Sequence, residues 1–239
     1  MGNEITQLRS ERRVSLQITR ERDLPMLSWI GRYGIVSVEQ VGRHWFASDD
    51  HSGGYRAAAR RVRKLEQAGY LVRDRVMHNA STVLRLTHDG HRLAGVSLRP
   101  AELSPPLVEH HLAVVDLAES LRTQHPGWQL FTEREYRVYR RAAIAAGLKK
   151  PRSAQARVPD CVFLLPNESE GTQQPWIAVE LERTEKSPER VRQIIQSYYR
   201  DTPKEVRWYV TRDAAQRYRQ LIHKERADRF MTVEEWSAS

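Results

Sequence analysis

Three acidic residues stand where buried strands should be apolar: Asp160 in Val-Pro-Asp-Cys-Val-Phe-Leu-Leu-Pro (residues 158–166), and Glu180 and Glu182 in Trp-Ile-Ala-Val-Glu-Leu-Glu-Arg (residues 176–183). Side chains along a strand repeat every second residue, so Glu180 and Glu182 share a face. An antiparallel neighbour would lie about 4.8 Å away. If Asp160 faces them from that neighbour, three carboxylates converge. Such a cluster repels itself unless a cation neutralises it, and hard oxygen donors select Mg2+ or Mn2+. The spacing leaves one alternative open, three strand-end carboxylates in solvent.

A second constellation is basic. Residues 55–68 read as a helix in which Ala58, Val62 and Leu65 follow helical spacing and would face a core. Arg56, Arg60 and Arg63 form a separate stripe, flanked by Arg61 and Lys64. A helix that buries one side and presents a row of guanidinium groups on the other suits a DNA major groove. A charged, solvated helix is the plain alternative. The charge distribution favours a phosphate-binding N-terminal part: residues 1–100 carry 17 Lys and Arg against 10 Asp and Glu, whereas residues 101–239 carry 22 against 20.

The elements that must position these residues can be taken in order. Residues 1–18 are charged and aperiodic and read as a mobile arm. Thr19 is a candidate cap for a first helix with Glu21 and Asp23 in its opening turn and Leu24, Leu27, Trp29 and Ile30 on its apolar side. Ser37 and Gln40 form a capping box for a second helix. Residues 49–54 read as a turn before the basic helix, and Gly69 ends that helix. Residues 70–76 and 82–86 suggest a β-hairpin, and Thr87 opens a short helix. Three helices followed by a hairpin is the order of a winged helix, here over residues 19–97.

Residues 98–106, with Pro100, Pro105 and Pro106, read as a linker to a second domain spanning 107–239. That domain begins with an amphipathic helix over residues 107–123. A strand over about 128–139, a basic loop over 140–157, and strands at 158–165 and 176–183 follow. Ser187 and Pro188 open a helix to about Tyr199, then come a strand at 206–211, a helix at 213–225 and an edge strand at 230–236. The fold class is α+β. No apolar run is long enough to span a membrane, residues 1–10 are too polar for a signal peptide, and a cytoplasmic protein is expected. The single cysteine, Cys161, excludes an intramolecular disulfide and reads as a strand core residue.

Helix, three strands, helix, strand resembles the αβββαβ core of restriction-endonuclease-like nucleases, whose signature is Pro-Asp and then, one strand later, an acid, any residue and lysine. Pro159-Asp160 matches the first part. Glu180-Leu181-Glu182 matches the second, except that Glu182 stands where the lysine belongs. Lys186, four residues on, is either the displaced lysine or an ordinary surface lysine at a helix start.

Further runs add to the likeness: Leu-Glu-Gln-Ala-Gly-Tyr-Leu (65–71), Leu-Arg-Leu-Thr-His-Asp-Gly-His-Arg-Leu (84–93) and His-His-Leu-Ala-Val-Val-Asp-Leu (110–117). In this order, with Val-Pro-Asp and Val-Glu-Leu-Glu-Arg-Thr after them, they resemble the replication-relaxation family of plasmids and integrative elements, which includes the MobC-type relaxases. The resemblance implies a DNA-processing protein of plasmid mobilisation or replication. Its winged helix would bind double-stranded DNA at an origin of transfer or replication, with relaxosome accessory proteins as further partners. Its nuclease-like domain would nick one strand by metal-dependent hydrolysis, with Asp160, Glu180 and Glu182 holding Mg2+ or Mn2+ and Lys186 assisting. His111, Asp116 and Glu119 are second-rank candidates on the preceding helix.

Two rivals stand beside this reading. One is a tyrosine nucleophile, Tyr198 or Tyr199, with a histidine-bound metal. Both tyrosines sit on an amphipathic helix that calls for core packing, and His110 and His111 are adjacent and point about 100° apart, which suits a shared ion poorly. The other rival is a DNA-binding accessory protein whose nuclease-like domain is a scaffold without activity.

Overall fold

The computed structural model describes residues 16–46, 51–76, 82–145, 157–166, 174–201 and 203–237. Most of the expected arm (residues 1–15), the hairpin tip and most of the expected basic loop lie outside these residues. The chain forms two compact units, Met1–Leu112 and Ala113–Ser239. Among the described residues there are eight α-helices and two sheets, an α+β composition.

In the first unit, α1 (Asp23–Tyr33) buries Met26, Leu27, Trp29 and Ile30. It does not begin at Thr19. The Thr19 amide instead donates to the Asp23 carboxylate at 2.7 Å, and Asp23 is wholly buried rather than a solvent-facing acid of the first turn. Gly34, at φ 88°, ends the helix by donating its amide to the Ile30 carbonyl.

β1 (Val36–Ser37) leads into α2 (Val38–Trp45), whose capping box forms as the sequence suggests: the Gln40 amide donates to Ser37 Oγ at 3.1 Å and the Ser37 amide to Gln40 Oε1 at 3.0 Å. α3 (His51–Gln67) starts earlier than the 49–54 turn reading allows, since residues 51–54 are already helical. Gly54 permits the close approach of this turn to the end of α2, because a Cβ on it would lie 2.7 Å from the Phe46 carbonyl oxygen.

β2 (Leu71–Asp74) and β3 (Val83–Leu86) pair antiparallel, and β1 adds to the other edge of β3. β1 is two residues long and carries no alternation for a sequence pattern to catch. α4 (His88–Leu93) is capped by Thr87, whose Oγ1 accepts the Gly90 amide at 3.0 Å. A one-turn 3-10 helix (Pro105–Leu107) precedes α5 (Val108–Gln124). Ala101, Leu103, Val108 and Leu112 pack with Ile35 and Val83.

The second unit is built on a five-stranded sheet in sequence order, β4 (Gln129–Thr132), β5 (Cys161–Leu164), β6 (Trp176–Glu182), β7 (Glu205–Val210) and β8 (Met231–Glu235). The first two junctions are antiparallel and the last two parallel. Two parallel junctions require crossovers, supplied by α7 (Pro188–Asp201) and α8 (Arg212–Lys224). Both helices pack on one face of the sheet, where Val191, Ile194, Ile195, Tyr198, Ala215, Tyr218 and Leu221 meet Val162, Ala178, Val206, Trp208 and Val210.

One element departs from the expected order. Residues 133–145 form helix α6 (Glu133–Ala145) rather than the end of a strand and the start of a loop. The Glu135 amide donates to Thr132 Oγ1 at 3.3 Å, and the Glu135 carboxylate accepts the Thr132 amide at 2.9 Å. This reciprocal pair is a capping box, and it stops β4 at four residues.

Candidate functional site

β6 determines where the acids go. All seven of its residues are buried, and its even positions, Ala178, Glu180 and Glu182, share one face. Ala178 on that face packs in the core beneath α7 and α8. Glu180 is therefore only 1% exposed, and Glu182 is 4% exposed.

Asp160 precedes β5, which pairs with β6 through Cys161 and Val179. Carrying that register one residue further sets Asp160 opposite Glu180. Its carboxylate accepts the Leu181 amide at 2.8 Å, across the strand pair. The structure thus brings Asp160 and Glu180 together.

Glu180 is bound on both oxygens. Arg157 donates from Nη2 to Oε2 at 2.6 Å and from Nε to Oε1, and the Tyr198 hydroxyl donates to the same Oε1. Burial lifts the Glu180 carboxyl above its usual value. Arg157, through hydrogen bonds and charge, and Tyr198 oppose that rise, while the Asp160 charge adds to it. Burial alone would lower the Arg157 guanidinium, but its bonds and charge pairing with Glu180 reverse the sign and raise it. Burial and then the Glu180 charge push the Tyr198 phenol well up. A buried hydroxyl that is harder to ionise and spends its proton on a carboxylate is a core partner of Glu180, the role its helix suggests ahead of a nucleophile.

Glu182 is held differently. Lys186 forms an ion pair with it, and Thr184 Oγ1 donates to its Oε1 at 3.4 Å. The ammonium group of the partly exposed Lys186 thus lies against the acid at position 182.

As they stand, the acids around Glu180 are already engaged by protein donors. A hard cation needs carboxylate lone pairs directed at it; Glu180 Oε1 accepts from both Arg157 and Tyr198, and Oε2 accepts from Arg157. Among the described residues, no group of three or more His, Cys, Asp or Glu side chains is placed to hold a metal ion. Cys161 is buried, and burial raises its thiol well above the usual value, which makes it a structural residue. His110 and His111 place their rings 6.1 Å apart, and Glu119 pairs with Arg122 at 2.7 Å.

The basic residues divide. Arg56, Arg60, Arg63 and Lys64 are exposed on α3, opposite Ala58, Val62 and Leu65, which are fully buried. Arg61 turns inward. Its Nη2 and Nε bind the buried Asp23 carboxylate, Nε at 3.1 Å, and Nη2 also donates to the Gln17 carbonyl at 2.9 Å. Spacing alone groups Arg61 with the DNA-facing stripe, and a buried acid 38 positions earlier leaves no local trace.

Arg157 and Tyr198 are the members of the acidic pocket that sequence reasoning does not place there. The only available signal is an isolated Arg just ahead of Val-Pro-Asp. No known family model, curated protein or solved structure matches the chain.

Proposed function

We propose that the chain is a DNA-processing protein of plasmid mobilisation or replication that grips double-stranded DNA through α3 and acts in the cytoplasm. The observation that carries this reading is the division of α3 into a buried apolar side and an exposed row of Arg56, Arg60, Arg63 and Lys64. The helices and hairpin around α3 support its reading as the recognition helix of a winged helix. The succession α5, β4, β5, β6, α7, β7 supports the nuclease-like αβββαβ reading of the second unit, with α6 inserted after the first strand. No described helix is long and apolar enough to cross a membrane.

The activity this reading assigns to the second unit is nicking of one DNA strand at Asp160, Glu180, Glu182 and Lys186. It is supported by the Asp160 carboxylate bridging to β6 beside Glu180 and by the pairing of Lys186 with Glu182. The rival, an accessory DNA-binding protein that does no chemistry, is favoured by one observation: the Glu180 oxygens are taken by Arg157 and Tyr198.

One measurement tests the DNA-binding role of α3, and a second separates the two readings. Titration of a duplex carrying the origin should show weaker binding by Arg60→Ala and Arg63→Ala, with the log–log salt slope reduced by about one unit for each phosphate that a guanidinium no longer neutralises. Unchanged affinity in both would remove α3 from the interface. Supercoiled plasmid carrying the same origin, incubated with Mg2+ or Mn2+, should convert to open circles, and Asp160→Ala should abolish this. Binding without conversion identifies the accessory protein.

A further inference from the structure

We infer that Arg157 is the resident counter-ion of the acidic pocket, so that in the DNA-free protein a guanidinium fills the role of a divalent cation there. Three observations carry this. Glu180 is nearly inaccessible to solvent, and a buried carboxylate needs a compensating charge. The guanidinium meets it through two parallel N–H donors, the fork geometry that matches a carboxylate, while Tyr198 completes the coordination of Oε1. Arg157 is itself anchored, its carbonyl accepting Arg140 Nη1 at 3.1 Å.

The neighbouring negative charge is also accounted for. Asp160 is bonded to the Leu181 amide, and its charge favours the protonated guanidinium. A metal approaching Glu180 would meet the Arg157 guanidinium already paired with both carboxylate oxygens, and its charge would be repelled by that resident cation. The Arg157 side chain is 24% exposed, so a competing anion can reach it from solvent.

The inference concerns the second unit alone and holds whether or not α3 binds DNA. It is tested on the full chain without DNA, by electron paramagnetic resonance of added Mn2+. The wild type should leave the free Mn2+ signal undiminished, whereas Arg157→Gln should bind Mn2+ and diminish it. The double variant Arg157→Gln/Asp160→Asn should lose that gain. A folded Arg157→Gln protein that gains no binding would overturn the inference. So would a wild-type site abolished by Asp160→Asn, an outcome readable even if Arg157→Gln does not fold. Because no DNA is present, failure here is distinct from failure to nick.

Discussion

Asp23 places a carboxylate inside the first unit and relies on Arg61 to keep it charged. Burial would raise its pKa, yet the Arg61 hydrogen bonds, the Thr19 amide and the charges of Arg61 and Arg22 together hold it below the ordinary 3.8. Removing either partner of so enclosed a pair strands the other. Arg61→Ala should therefore lose about 3 kcal/mol of stability in urea unfolding at pH 7. Because the folded-state pKa is depressed, the pair's contribution is complete above the unfolded carboxyl's pKa and is lost as pH falls through the lower folded value. The gap between wild type and Asp23→Asn should accordingly narrow on acidification below about pH 4. Cys161 allows a second test at this scale. Its buried thiol, raised well above its usual pKa, should resist thiol-specific reagents at pH 8 in the native protein and react at once in denaturant.

At the scale of elements, the turn after α3 and the start of α4 are locked together by backbone contacts. The Thr87 amide donates to the Tyr70 carbonyl at 3.1 Å, and Thr87 Oγ1 donates to the Gly69 carbonyl at 2.6 Å. Gly90 permits this approach: a Cβ there would fall 2.1 Å from the Tyr70 carbonyl oxygen, and backbone cannot swing aside as a flexible side chain can. Gly90→Ala should cost about 1–3 kcal/mol, seen as a lowered unfolding midpoint with the same denaturant slope. The runs at 65–71 and 84–93, which carry much of the resemblance, thus meet in space. Legibility at this scale depends on local chemistry. The Ser37–Gln40 box is plain in the sequence, whereas the equivalent Thr132–Glu135 box is masked by Leu130-Phe131 before it and the alternating Tyr136 and Val138 after it, which suggest a strand continuing to residue 139.

At the scale of the whole molecule, each unit carries its own buried core, so destabilising one need not unfold the other. Tyr198→Phe removes a buried hydrogen bond to Glu180 and should cost about 1–3 kcal/mol, confined to the second unit. Calorimetry of Tyr198→Phe and of Arg61→Ala should each shift one transition and leave the other in place. A single transition moved by both would show that the units unfold as one.

The sequence by itself determined the α+β composition, the apolar and basic sides of α3, the edge position of the last strand, the strand that carries Glu180 and Glu182 and the strand that Asp160 precedes. These follow from periodicity, capping residues and turn residues, which act within a few positions along the chain. Only the tertiary structure decided that Arg61 serves Asp23 rather than the α3 surface, and that Arg157 and Tyr198 bind Glu180. Charge pairing in a buried place depends on which distant groups share the same low-dielectric space, and chain spacing carries no record of that.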